Sequence, residues 1–298
     1  MRVSEPGSAL LMLALVLPAI HACHAETVER SLPADARGEV TIVNVAGEVS
    51  VEGWKQAEVQ VKADLGSGVE RLVFESEGKA TVIKVILPKG RSSSGSSQLK
   101  VRIPEGSSLN INTVSADQKI TAVRGSQRLQ AVSGDIKAQQ WGEELRVKTI
   151  SGDVRLEGHE MTAVTGVETV SGDVTLDRLA GEVALITVTG DADISMRELV
   201  RGSIRTTNGD LRLRTRLARD ARFETEAVNG DVELLLSGPI DADFDIETFN
   251  GEIDSCFGPK PVRTREFAPG DTLRFKQGEG SAKVRVKTLN GAIQICND

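Results

Sequence analysis

Beyond Ser115 the chain repeats one pattern: a small polar residue, Gly, an acid, then apolar positions alternating with polar ones. The copies run Ser133-Gly134-Asp135-Ile136, Ser151-Gly152-Asp153-Val154, Ser171-Gly172-Asp173-Val174 and Thr189-Gly190-Asp191-Ala192. They continue as Asn208-Gly209-Asp210-Leu211, Asn229-Gly230-Asp231-Val232, Asn250-Gly251-Glu252-Ile253 and Asn290-Gly291-Ala292-Ile293, with Ser115-Ala116-Asp117 as a decayed earlier copy. The glycines fall 18, 20, 18, 19, 21, 21 and then 40 residues apart, the last gap being two periods. A period of about 20 residues marks a solenoid, whose units bury their faces only by stacking on one another.

Each unit reads as strand, turn, strand. The positions two and four after the Gly are apolar in nearly every copy, as in Val154 and Leu156 or Leu211 and Leu213, with a polar residue between them. Before the Gly, an apolar column (Leu129, Val147, Val167, Leu185, Ile204) and a Thr/Ala column (Ala131, Thr149, Thr169, Thr187, Thr206) fit the same inward face. Such period-two alternation belongs to half-buried strands. A further column two before the Gly (Val132, Ile150, Val170, Val188, Val228, Phe249, Leu289) is also largely apolar, and a bend or bulge is expected there. The frame of leucine-rich repeats is absent. The expected fold is therefore all-β, a β-solenoid or β-helix-like stack of rungs of roughly 20 residues.

Stacking brings equivalent positions of successive rungs about 4.8 Å apart, so charges test the alignment. Arg212 falls between Asp193 and Glu233, Lys148 precedes Glu168 and Arg205 precedes Glu226, as favourable cross-strand pairs require. Lys137 beside Arg155 is the counterexample. Residues 26–112 read as shorter alternating strands, a β-rich N-terminal cap region, and 113–298 as the solenoid, with an inserted loop near 257–280. Gly90 and Gly95 have the spacing of a phosphate-binding loop, but Ser97 stands where its Lys is needed, so nucleotide binding is rejected.

Composition narrows the chemistry. The 298 residues are 39% hydrophobic and 27% charged, with a formal net charge of -7 and no Tyr, two Trp, three His and three Cys. His21, Cys23 and His24 lie in a targeting segment, which leaves His159 as the one secure histidine of the mature chain; histidine-cluster zinc sites are excluded and no cofactor is expected. The run from Ala9 to Ile20 after Arg2 is too short to span a bilayer and fits a secretory signal, residues 1–25, or 1–22 if Cys23 is lipidated. No other segment approaches transmembrane length. Export places Cys256 and Cys296 in an oxidising compartment. They can pair if 257–280 loops out, and lie two rungs apart if a full rung intervenes; the bridge is the expectation.

The Ser-Gly-Asp and Asn-Gly-Asp repeats, with Val51-Glu52-Gly53-Trp54 and the closing Lys276-Gln277-Gly278-Glu279-Gly280, resemble a family of bacterial envelope β-strand-repeat proteins of unknown function. That family is labelled adhesin by analogy with the head domain of surface adhesins. The resemblance covers nearly all of the mature chain and implies an exported β-solenoid with no assigned activity. Fold analogy leaves function open.

Four features compete for a functional role. The acids Asp135, Asp153, Asp173, Asp191, Asp210, Asp231 and Glu252 could ligate calcium, or each could cap its own turn beside a Gly that supplies positive φ; capping is favoured. Paired acids of a polysaccharide-cleaving enzyme would be unique, whereas these recur on every rung. His159 is a loop residue without a companion. Residues 197–222 carry a local net charge of +5, and Arg212, Arg214 and Arg216 project from one face as a candidate anion-binding site, against a reading in which they pair with neighbouring rungs. The expectation is a non-enzymatic exported protein, periplasmic or surface-associated, that acts as a rigid binding or scaffolding surface. Its partner would be an anionic glycan, lipopolysaccharide or a membrane protein, and not nucleic acid. The alternatives are a regulatory partner in envelope stress signalling and a polysaccharide-active enzyme.

Overall fold

The computed structural model describes residues 26–88, 95–265 and 268–298; the leader with Cys23, and Gly90 of the segment compared with a phosphate-binding loop, lie outside them. The described residues form strands and turns with no helix, and the repeat maps onto a stack of two-strand rungs. Leu145–Ser151 and Val154–Gly158 make one such rung, joined by the turn at Gly152. Both strands pair in parallel and in register with their neighbours, Val147 with Leu129 and Val167, Val154 with Ile136 and Val174. The inward columns of both strands are buried in one continuous apolar core, and the Thr column is buried with them. Thr149 and Thr169 satisfy their hydroxyls by donating to the carbonyls of Ser151 and Ser171 in the turn that follows.

The turn needs Gly for two reasons. At Gly190 φ is +128°, and an added Cβ would lie 2.2 Å from the carbonyl oxygen of Gly172 on the preceding rung. Backbone passes backbone too closely for a side chain. Gly134, Gly152, Gly172, Gly209, Gly230 and Gly291 share the positive φ; Gly251 does not, yet its Cβ would sit 2.0 Å from the Gly291 carbonyl oxygen.

Two expectations about local structure are corrected. The apolar column two before the Gly lies in unbroken alternation and points outward, with Val132, Ile150, Val170 and Val188 between 41% and 51% exposed. Polarity does not report facing here, because β-branched side chains suit a strand on either side. The stretch from Phe257 to Gly280, expected as an inserted loop, contains two strands, Val262–Arg265 and Ala268–Gln277. The boundary drawn at 112/113 falls inside the strand Ser108–Thr121, which stacks on Glu39–Trp54 on one side and on the next rungs on the other, so the stack is continuous across it.

The order of the rungs in space departs from their order in the chain at both ends. Asn290 pairs with Asn229 on one side and Asn250 on the other, and Ile293 lies between Val232 and Ile253. The last rung is thus inserted, and the Gly251 rung lies outside it. A ladder of side-chain amides follows the spatial order, Asn229 donating to Asn208, Asn290 to Asn229 and Asn250 to Asn290 at 2.7–2.9 Å. At the other end Glu39–Trp54 lies between Ser108–Thr121 and the later strands Ala80–Ile86 and Ser96–Pro104.

Antiparallel strands close the stack. Ala268–Gln277 covers Ala242–Asn250, while Arg71–Glu77 covers Ala80–Ile86 and Glu58–Leu65 covers Ser96–Pro104. Phe275 stacks on Phe244 with ring centroids 4.7 Å apart, which plugs the C-terminal end of the core.

Candidate binding surfaces

From Asp117 to Asp231 the acid of the repeat is a structural acceptor; Glu252, on the outer rung, is not part of this ladder. The backbone N–H of Asp135 donates to Oδ1 of Asp117, and the link repeats from Asp153 to Asp135, Asp173 to Asp153, Asp191 to Asp173, Asp210 to Asp191 and Asp231 to Asp210 at 2.8–3.1 Å. The last link jumps to the inserted rung, where the N–H of Ala292 donates to Asp231. Each carboxylate therefore caps the turn of the next rung and not its own, because the stack sets the neighbouring N–H within reach of a short side chain. Among the described residues no three His, Cys, Asp or Glu side chains converge as a metal site would need.

The three arginines singled out from the sequence are ion-paired. Arg212 binds Glu233, which together with its hydrogen bond raises the guanidinium pKa. Arg214 lies 3.8 Å from Asp193 and Arg216 2.6 Å from Glu198, each pair joining neighbouring rungs. Lys148–Glu168 and Arg205–Glu226 behave likewise, at 2.9 and 3.5 Å. This face is a mosaic of neutralised charges.

Cys256 and Cys296 form a disulfide, with Cα atoms 4.9 Å apart. They meet because the rungs of Gly251 and Gly291 lie side by side, Ile253 opposite Ile293, as the expected bridge required. His159 follows the strand Val154–Gly158 and stacks on Trp141 at 3.7 Å, with the Arg124 guanidinium 4.8 Å above the same indole. That column of three covers one corner of the stack. Sequence reasoning placed His159 in a loop and had no signal for Trp141, since neither belongs to the repeat.

What sequence reasoning missed is the outer apolar ribbon. Val114, Val132, Ile150, Val170, Val188, Val228, Leu289 and Phe249 stand on successive or near-successive rungs, each 40–51% exposed. Its signal was on the page as the column that broke the polar alternation.

A family model described as "Toastrack DUF4097" matches residues 74–296. No curated protein matches the chain by sequence. Among solved structures, a "putative adhesin" from Bacteroides fragilis NCTC 9343 is 12% identical, with 92% of this chain and 97% of that one covered and a TM-score of 0.45. A "putative cell adhesion protein" from Clostridium sporogenes ATCC 15579 is 12% identical over 92% and 100% of the two chains, TM-score 0.29. A "putative lipid binding protein" from Parabacteroides distasonis ATCC 8503 is 13% identical over 91% and 96%, TM-score 0.34.

Proposed function

The chain belongs to the Toastrack DUF4097 family, and from that premise we propose that it is an exported, non-enzymatic envelope protein whose long outer faces act as a rigid binding or scaffolding surface. The observation that carries this reading is the exposed apolar ribbon. Contiguous apolar surface of this kind is uncommon on a protein that meets only water and marks contact with another component. A stack held by in-register pairing, side-chain ladders and closed ends presents that ribbon as a straight, pre-organised edge, which lowers the ordering cost of binding. Export is supported by the signal-like leader, and the Cys256–Cys296 disulfide suits an oxidising compartment.

The test is co-sedimentation of the purified mature protein with envelope fractions. A variant with Val132, Ile150, Val170 and Val188 all changed to Thr keeps the β-branched shape but makes the ribbon polar. The native protein is expected to sediment with the envelope and the folded variant to do so several-fold less. Equal sedimentation of both, or of neither, contradicts the role given to the ribbon.

A further inference from the structure

We infer that a single file of cations on the outer face of the N-terminal half, Lys62, Lys100, Lys119, Lys137 and Arg155, binds a linear acidic glycan. The inference rests on the binding-surface reading above and names a ligand class for a second face of the same stack. Register puts the five on one line across six neighbouring strands. Lys62 faces Lys100, Lys100 faces Ser50, Ser50 faces Lys119, Lys119 faces Lys137, and Lys137 faces Arg155. At about 4.8 Å per strand the file is about 24 Å long. All five side chains are exposed.

The remainder of the same column shows how this chain treats a charged column that faces only solvent. Past Thr175 it reads Asp193, Arg212, Glu233, alternating in sign, and Arg212 is ion-paired to Glu233. In the N-terminal half the column opens on Glu29, which faces Lys62, and from Lys62 to Arg155 no acid interrupts the cations. Among the described residues none of the five cations has an ion-pair partner within the 4.0 Å that defines the pairs above. Like charges directly opposite one another on neighbouring strands are destabilising. Inward of the Glu29–Lys62 position the fold therefore gains nothing from the file, whereas a row of anions laid along it removes the repulsion.

The flanks decide what kind of anion fits. Two residues to one side of the file stand Asp64, Glu48, Asp117, Asp135 and Asp153, the N-terminal continuation of the acid column. A flat anionic membrane pressed on this face would meet those carboxylates as well as the lysines. A single extended chain can lie on the cations and avoid them. No aromatic side chain stands in the file to stack a base, which favours an acidic polysaccharide over a nucleic acid. Four of the five cations are lysines, point charges on flexible stems that track charge spacing rather than grip one planar group with a rigid fork.

The experiment measures binding of the full mature chain to polygalacturonate, with neutral dextran, phosphatidylglycerol vesicles and single-stranded DNA as parallel probes. Native protein is expected to bind polygalacturonate and to release it as salt is raised. Lys119→Gln, Lys137→Gln and Arg155→Gln combined are expected to weaken binding about tenfold. Arg212→Gln, on the paired part of the same column, leaves it unchanged. The triple variant is also expected to melt no lower than native; a lower Tm would mean that the cations serve the fold, and overturns the inference. So does binding that the triple variant retains, or binding only to vesicles or DNA. Envelope sedimentation without polygalacturonate binding sinks this inference and leaves the binding-surface reading standing; polygalacturonate binding without envelope sedimentation does the reverse.

Discussion

At the residue scale the stack depends on a few positions where chemistry is repeated because geometry is repeated. Gly190→Ala places a Cβ 2.2 Å from the carbonyl oxygen of Gly172 and forces a side chain into positive φ. A loss of about 2 kcal/mol or more is expected in denaturant unfolding, from backbone strain and displacement of the neighbouring turn. Asp173 offers a finer test, because its Oδ1 accepts the N–H of Asp191 while its own N–H donates to Asp153. Asp173→Ala removes one link and is expected to cost about 1 kcal/mol; Asp173→Asn keeps an acceptor and is expected to cost clearly less. Equal losses would mean that the charge, and not the ladder, matters. The repeat of Gly and Asp was readable as a turn in the sequence. That each Asp serves the next rung was not, because a turn-capping Asp and a ladder-forming Asp have the same one-dimensional signature.

At the element scale the closing hairpin, Val262–Arg265 paired antiparallel with Ala268–Gln277, shows how packed ends are tied down. Asp241 on the chain before Ala242–Asn250 accepts from the N–H groups of Gly280 and Ser281 and from the Ser281 hydroxyl, and these bonds hold its pKa below the ordinary carboxylate value. Asp245 is lowered chiefly by the hydrogen bond from Arg274, which joins Ala242–Asn250 to Ala268–Gln277. A folded-state pKa below the unfolded one gives stability that is present above the usual value of 3.8 and is lost as pH falls through the lowered one. Below pH 3.8 the hairpin is therefore expected to gain amide hydrogen exchange before the central rungs do. Asp241→Asn combined with Asp245→Asn is expected to remove that pH dependence. The disulfide acts on the same end: Cys256→Ser with Cys296→Ser is expected to cost about 2–4 kcal/mol, read by chemical denaturation against the oxidised native protein. The strands of this hairpin escaped sequence reading because their alternation lies outside the repeat frame. The outward ribbon was misread as a bend because apolar character was taken as a sign of burial.

At the scale of the whole molecule both ends of the stack follow one rule. The first long strand and the last rung each lie one place in from the outer rung, and chain from the interior supplies that outer rung and the antiparallel strand over it; at the N-terminal end Glu26–Pro33 adds a further antiparallel strand on Glu58–Leu65. An open parallel stack would present unpaired strand edges, which recruit other copies. Leu273→Asp puts a charge on a residue that is 1% exposed in the C-terminal cover, and is expected to loosen that strand and produce concentration-dependent association in light scattering. A monodisperse variant would mean that the cover is not what keeps the edge closed. The parallel rungs were legible from period and alternation, since each copy matches its neighbours position by position. Their order was not, because identical registers fit together in either order, and the Cys256–Cys296 bridge joins rungs that are neighbours in both; the Asn290–Asn229 step of the amide ladder belongs to the swapped order alone.

The most direct measurement is cysteine cross-linking across that swapped end in the otherwise native chain. With the last rung inserted, Asn229→Cys with Asn290→Cys stand on adjacent rungs and are expected to bridge readily under mild oxidation. Asn229→Cys with Asn250→Cys stand two rungs apart, about 9.6 Å, and are expected not to. Efficient bridging of 229 to 250, with none between 229 and 290, would put the rungs in chain order and contradict the closed, rigid body on which the binding surfaces depend.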